Sequence, residues 1–131
     1  MIDILCQGIG TSGHLALNEP FDIDFGEKSW VRVVKLVEQS KIQLADDPNF
    51  KALGLIPSMG ITMTIPLLVS ARHIFTMVPL GLKRPILERL LALNTPSVAL
   101  PASILLECAG NLYVNGDSCP RQLLAQDTAS R

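Results

Sequence analysis

The chain has 131 residues, 48% of them hydrophobic, and a formal net charge of −1 with a sequence pI of about 6.1. This length fits one domain or part of one, and the charge balance gives no reason to expect a nucleic acid or an anionic membrane as a partner. No segment qualifies as a membrane span, and the three cysteines form no C-x-x-C pair, so we expect reduced thiols in a cytoplasmic protein.

The first part of the chain predicts a strand, a glycine-rich loop and a second strand. Residues 2–6 are apolar and predict a buried strand, which the glycine-rich segment 8–20 follows directly. Residues 21–29 are polar and irregular. Residues 30–36 are rich in β-branched side chains and predict the next strand.

The middle of the chain predicts a helix, a loop, a strand and a short helix. Residues 38–45 can form a helix, and residues 46–57, with two prolines and a glycine, are predicted to be a loop. Residues 60–65 have strand character. Pro66 suits the first turn of a short helix that follows them.

The last part of the chain continues this alternation and ends in a polar tail. Its predicted elements are a strand over residues 74–78, a helix over 83–93, a helical segment over 101–106 and a strand over 111–114. Four apolar residues share one face of the helix 83–93, namely Ile86, Leu87, Leu90 and Leu91. Asn115-Gly116 marks a turn, and residues 118–131 are predicted to be a loose tail. The alternation predicts an α/β layered sheet, as one domain or part of one over residues 1–131 with its ordered part at 1–117.

The glycine-rich loop is the strongest functional signal in the chain. Gly8, Gly10 and Gly13 let the backbone turn sharply and come close to a bound molecule. His14 and Glu19 follow them, which places a group that titrates near neutral pH beside a carboxylate. The loop therefore predicts a small-molecule site.

Two other interpretations of the loop are open. Its glycines also fit the G-x-G-x-x-G pattern of a dinucleotide-binding turn, but Pro20 would break the helix that must begin at once. Glu27, near the distance of the required acidic residue, lies in a polar stretch before the next strand. The second alternative is a tight structural turn with an incidental histidine.

The segment Gly8-Ile9-Gly10-Thr11-Ser12-Gly13-His14-Leu15-Ala16-Leu17-Asn18-Glu19-Pro20 resembles the signature of the glucosamine-6-phosphate deaminase/isomerase family. Residues 38–40 and 57–65, Lys83 and the segment Pro101-Ala102-Ser103 resemble further parts of that family in the same order. The resemblance covers nearly all of this chain but only the C-terminal half of the family's domain. It implies a Rossmann-like sheet with flanking helices.

The resemblance also implies a chemistry. Members of the family open the ring of an amino-sugar phosphate, move a proton between C2 and C1, and release ammonia to leave fructose 6-phosphate. His14 matches the ring-opening histidine, and Glu19 matches the carboxylate that orients it and should raise its pKa. Lys83 matches a phosphate-binding lysine, and Gly8, Gly10 and Gly13 fall in the substrate-binding loop. No cofactor and no metal are implied, and the galactosamine-6-phosphate isomerase subtype is equally open.

Several positions depart from the family. Ser12, in the predicted catalytic group, stands where the family usually has an aspartate or asparagine. Asp46 falls at or near the position of a phosphate-binding arginine, and Cys108 stands near one often held by histidine. The family's C2 base comes from an N-terminal half that this sequence does not match. We therefore expect a homo-oligomer or association with a missing N-terminal half, and a non-catalytic sugar-phosphate-binding remnant is the competing class.

Overall fold

A computed structural model describes residues 2–123 of the chain. In chain order its strands are β1 (Ile4–Gln7), β2 (Val31–Lys35), β3 (Met59–Met63), β4 (His73–Val78) and β5 (Asn111–Val114). Its α-helices are α1 (Glu38–Asp46), α2 (Pro48–Leu53), α3 (Ile65–Val69) and α4 (Arg84–Leu91), with 3₁₀ helices at Gly81–Lys83 and Pro101–Glu107. No helix within the described residues has the length and apolar character needed to cross a membrane.

Strands β1, β4 and β5 form a parallel sheet with β4 at its centre. Leu5 lies beside Ile74 in one pair of strands, and Thr76 lies beside Leu112 in the other. Parallel neighbours need a long crossover, and the chain between β4 and β5 supplies one that contains α4. The predicted α/β fold with flanking helices is confirmed.

Strands β2 and β3 do not join this sheet. They pair with each other in a two-stranded antiparallel sheet, the β2–β3 sheet, in which Val33 lies opposite Ile61 and Val34 opposite Gly60. Val34 is buried while Val33 is exposed, and this alternation is typical of an antiparallel sheet with one covered face. The sequence predicted both strands, but not their separation from the main sheet.

The predicted loop over residues 46–57 was wrong in part, because it contains helix α2. Asp47 caps this helix by accepting a hydrogen bond from the backbone N–H of Asn49 at 2.8 Å, and Pro48 occupies its first turn. Gly54, with a φ of 63°, ends it. A proline and a glycine that read as helix breakers are thus start and stop signals of a short helix.

The hydrophobic core lies between the inner face of the parallel sheet and α4. Ile86, Leu87 and Leu90 are buried as their spacing predicted, whereas Leu91 lies at the margin and is 36% exposed. The rest of this core consists of Leu5, Ile9, Leu15, Ile65, Leu68, Ile74, Val78, Leu100 and Ala102.

The segment predicted as a loose tail begins inside the fold. Ser118 is fully buried, its N–H donates to Asn115 Oδ1 at 2.9 Å, and its Oγ accepts from the Asn115 N–H at 3.0 Å. These two bonds close the predicted turn at Asn115-Gly116. Residues 124–131 lie outside the described residues.

Apolar side chains are exposed on the outer faces of both sheets. Met77 and Tyr113 lie on the outer face of the parallel sheet, and Val33 and Ile61 lie on the outer face of the β2–β3 sheet. Exposed apolar patches often mark protein contacts. Association with further copies or with an N-terminal half stays a prediction.

Candidate active site

The loop after β1 is built so that the His14 side chain packs against backbone. The N–H of Gly10 donates to the His14 carbonyl at 3.0 Å, and the N–H of Gly13 donates to the Gly10 carbonyl at 2.9 Å. A Cβ on Gly10 would lie 2.1 Å from the imidazole. Gly10 therefore leaves the space in which the imidazole of His14 sits.

Gly13 and Gly8, the other two glycines of the loop, differ in whether the backbone there could accept a side chain. Gly13 has a φ of 87°, and a Cβ there would lie 2.2 Å from Leu100 Cδ1. Gly8 is exposed, and a Cβ there would make only ordinary contact with the Met77 carbonyl. Gly10 and Gly13 thus have clear structural roles, and the predicted contact of all three glycines with substrate stays a prediction.

Asn18 anchors the loop to strand β3. Its side chain is buried, and its Nδ2 donates to the carbonyls of Leu15 at 2.9 Å and Met63 at 2.8 Å. The Leu17 N–H also donates to Thr62 Oγ1 at 3.1 Å. Sequence reasoning placed Asn18 in the motif without a role, and the structure shows that it holds the backbone beside Glu19 in place.

Ser12, His14 and Glu19 form one hydrogen-bonded cluster. The Ser12 hydroxyl donates to Glu19 Oε2 at 2.8 Å and lies 2.8 Å from His14 Nδ1, while His14 Nδ1 lies 3.2 Å from Glu19 Oε1. Because the hydroxyl proton is committed to Glu19, the Ser12 oxygen is an acceptor towards His14. This arrangement assigns the proton of neutral His14 to Nδ1 and leaves Nε2, which has no hydrogen-bond partner among residues 2–123, as an acceptor.

The electrostatic balance at His14 differs from the sequence expectation. Burial lowers the pKa of His14, and the nearby charge of Lys83 lowers it further, while Glu19 raises it. The expectation that Glu19 would raise this pKa above its ordinary value was wrong, because the loss of solvent outweighs the carboxylate. His14 therefore favours its neutral form.

Lys83, at the start of α4, is close enough to His14 for its charge to act on the imidazole. Burial lowers the pKa of Lys83, and within residues 2–123 its ammonium forms no ion pair with a carboxylate. A half-buried cation without a protein counter-ion is suited to an anionic ligand group.

A cleft of about 310 Å³ opens beside His14. Its lining residues come from the loop, from α1 and α2, and from β3: Leu17, Leu36, Ser40, Gln43, Leu44, Phe50, Pro57, Met59, Gly60 and Ile61. Neither Asp46 nor Lys83 is among them; Asp46 is exposed, and its carboxylate lies 3.8 Å from Lys51 Nζ.

No group of three histidine, cysteine, aspartate or glutamate side chains in the described part of the chain could hold a metal ion. The cysteines Cys6, Cys108 and Cys119 are free thiols. Burial and the nearby Glu107 raise the pKa of Cys108, so its thiolate is disfavoured.

NMR titration of the histidines tests the balance of charges at His14. Replacing Glu19 by glutamine should lower the pKa of His14 further, because Glu19 raises it. Replacing Lys83 by methionine should raise it, because the lysine charge lowers it. An unchanged His14 curve in both variants would contradict the cluster.

The sequence of the chain is similar to those of glucosamine-6-phosphate deaminases, although no protein-family model matches it. It is 34% identical over 104 residues to the protein named glucosamine-6-phosphate deaminase in Shouchella clausii (strain KSM-K16), which covers 79% of this chain and 40% of that protein. The protein of the same name in Clostridium botulinum (strain Eklund 17B / Type B) is 36% identical over 105 residues, with 79% and 39% covered. The chain thus spans about 40% of the length of the curated relatives it matches.

The fold is similar to that of a solved monomeric glucosamine-6-phosphate deaminase, described as a missing link of the NagB superfamily. The TM-score is 0.74 at 28% sequence identity, over 88% of this chain and 46% of that one. The 6-phosphogluconolactonase from Trypanosoma brucei has a TM-score of 0.59 at 22% identity, over 86% of this chain and 38% of its own. At that identity the second similarity concerns the fold alone.

Proposed function

We propose that the site of this chain, whose sequence is similar to those of glucosamine-6-phosphate deaminases, opens the ring of an amino-sugar phosphate. The observation that carries the proposal is the Ser12–His14–Glu19 cluster beside a cleft. The substrate we propose is glucosamine 6-phosphate, and its C4 epimer galactosamine 6-phosphate is the alternative, since we identify no residue that separates the two.

His14 is the proposed base of ring opening. Its Nε2 accepts the proton of the O1 hydroxyl as the C1–O5 bond breaks, and the imidazolium then returns a proton to O5. The lowered pKa of His14 keeps the imidazole neutral and able to accept near pH 7. Glu19 stabilises the imidazolium while it exists, because its carboxylate lies 3.2 Å from Nδ1.

Lys83 is the proposed anchor for the phosphate. Its ammonium acts on His14 and forms no ion pair with a carboxylate in the described residues, so a bound phosphate would supply the missing counter-charge. A lysine binds phosphate as a point charge and does not fix its orientation. The loop and the cleft would then have to orient the sugar.

The complete reaction to fructose 6-phosphate and ammonia also needs a base that removes the proton from C2. Within residues 2–123, Glu19 is the one carboxylate of the cluster, and it is already engaged with Ser12 and His14. We therefore assign ring opening to this site and leave proton removal from C2 to a group outside the cluster. The same observation favours the second candidate function, which is binding of a sugar phosphate without turnover.

Binding measurements on a Lys83→Ala variant test the phosphate anchor. Loss of one charged contact should weaken binding of glucosamine 6-phosphate about 5- to 100-fold and leave binding of unphosphorylated glucosamine nearly unchanged. Lys51→Ala is the matched control, because the Lys51 ammonium is exposed, already lies 3.8 Å from the Asp46 carboxylate and is not among the charges that shift the pKa of His14. Equal losses for both sugars, measured by calorimetry, would remove Lys83 from the site.

A further inference from the structure

The first turn of α1 contacts the glycine-rich loop through two side chains. The Ser40 hydroxyl donates to Glu19 Oε1 at 3.3 Å, and Gln39 Nε2 donates to Thr11 Oγ1 at 3.2 Å. Ser40 is partly buried and also lines the cleft beside His14. Adjacent residues of one helix turn thus reach two different positions of the loop.

The hydrogen bonds of Glu19 show the role of Ser40. Ser12 donates to Oε2 from within the loop, whereas Ser40 donates to Oε1, the oxygen that lies 3.2 Å from His14 Nδ1. Without Ser40, Oε1 would be held only by its 3.2 Å contact with His14 Nδ1, and the carboxylate could still turn about its last torsion angle, because that torsion is soft. A donor at each oxygen leaves it one orientation.

We propose that Ser40 is a positioning residue that holds the Glu19 carboxylate against the His14 imidazole. This role rests on the proposed function of the cluster, and it adds to that function a residue from a different element of the fold. The Ser40 hydrogen bond is long at 3.3 Å. Bonds of this kind often tighten when a ligand closes the site.

The position of α1 makes this role possible. The helix follows β2, and the chain between them is held by the hydrogen bond from the Leu36 N–H to the carbonyl of Ser58, the residue before β3, at 2.9 Å. Leu36 is itself buried. Ser40 therefore lies on a helix that is anchored to the β2–β3 sheet. Such a helix holds a side chain more precisely than a free loop does.

The test is a double-mutant cycle on Ser40 and Glu19, with the His14 titration as its readout. Ser40→Ala should lower the pKa of His14, because a carboxylate that turns away raises it less, and the change should be smaller than that caused by Glu19→Gln. In the Glu19→Gln background, Ser40→Ala should have no further effect on this titration. Ser40→Thr keeps the hydroxyl and should restore the wild-type curve.

Two controls separate positioning from folding. Alanine is the best helix former, so Ser40→Ala should keep α1 and the thermal midpoint close to that of the wild type. Ser70→Ala removes an exposed hydroxyl that donates to the Leu67 carbonyl, and it should leave the His14 titration unchanged. Lys83, the other charge that acts on His14, is intact in every variant.

The proposal would be overturned if Ser40→Ala left the pKa of His14 unchanged. It would also be overturned if Ser40→Ala changed this pKa equally in the wild-type protein and in the Glu19→Gln variant. The readout uses the protein without any sugar. A failure of ring opening with the coupling intact would therefore count against the proposed function alone.

Discussion

Replacing His14 by glutamine is expected to slow ring opening of glucosamine 6-phosphate by about 10²–10⁴-fold, the usual contribution of a positioned acid–base group. Glutamine can still donate towards Ser12 and Glu19, but it cannot take the O1 proton at the position of Nε2. The rate of interconversion between the α and β anomers, followed by exchange NMR, reports this step directly. That interconversion needs only ring opening, so it does not depend on the base at C2.

The second histidine of the chain provides the matched control. His73 is exposed on β4, outside the cluster, and His73→Gln should leave the anomer exchange unchanged. Because neutral His14 is the reactive form, the rate should fall as the pH drops through its pKa. Burial lowers that pKa, so the fall should come at a more acidic pH than for a free imidazole. A protein that does not accelerate the exchange, or a His14→Gln variant as fast as wild type, would contradict the assignment.

Replacing Gly13 by alanine is expected to lower the free energy of unfolding by about 2–5 kcal/mol. Part of the loss is the cost of a left-handed backbone for an L-residue, about 1–2 kcal/mol, since φ is 87°. The rest is overpacking, about 1–3 kcal/mol, because the new Cβ would lie 2.2 Å from Leu100 Cδ1. Leu100 is 2% exposed, so it has no open space into which to move. Denaturant unfolding measures the change.

Alanine substitutions at two other glycines distinguish the cost of backbone strain from the cost of overpacking. Gly54 has a φ of 63° but open space around it, so Gly54→Ala should show the backbone cost alone. Gly116 has open space and no such φ, and Gly116→Ala should be close to neutral. If Gly13→Ala cost no more than Gly54→Ala, the contact with Leu100 would not matter to stability.

Local signals in the sequence determined much of the candidate site. The three glycines, His14 and Glu19 lie within twelve consecutive residues, so their proximity follows from one short turn of the chain. The apolar spacing of α4 likewise predicted its buried face without knowledge of its partners. Such features depend on neighbours within a few positions, which a single sequence displays directly.

The tertiary structure decided what depends on distant residues. The separation of the β2–β3 sheet from the parallel sheet depends on which strands pair, and strand character alone does not specify a partner. Ser40 reaches Glu19 across 21 positions because the anchored α1 carries it there, and no spacing in the sequence signals that contact. The direction in which the pKa of His14 shifts depends on how much solvent the fold removes from the imidazole. This loss of solvent lowers the pKa more than the Glu19 carboxylate, which is visible in the sequence, raises it.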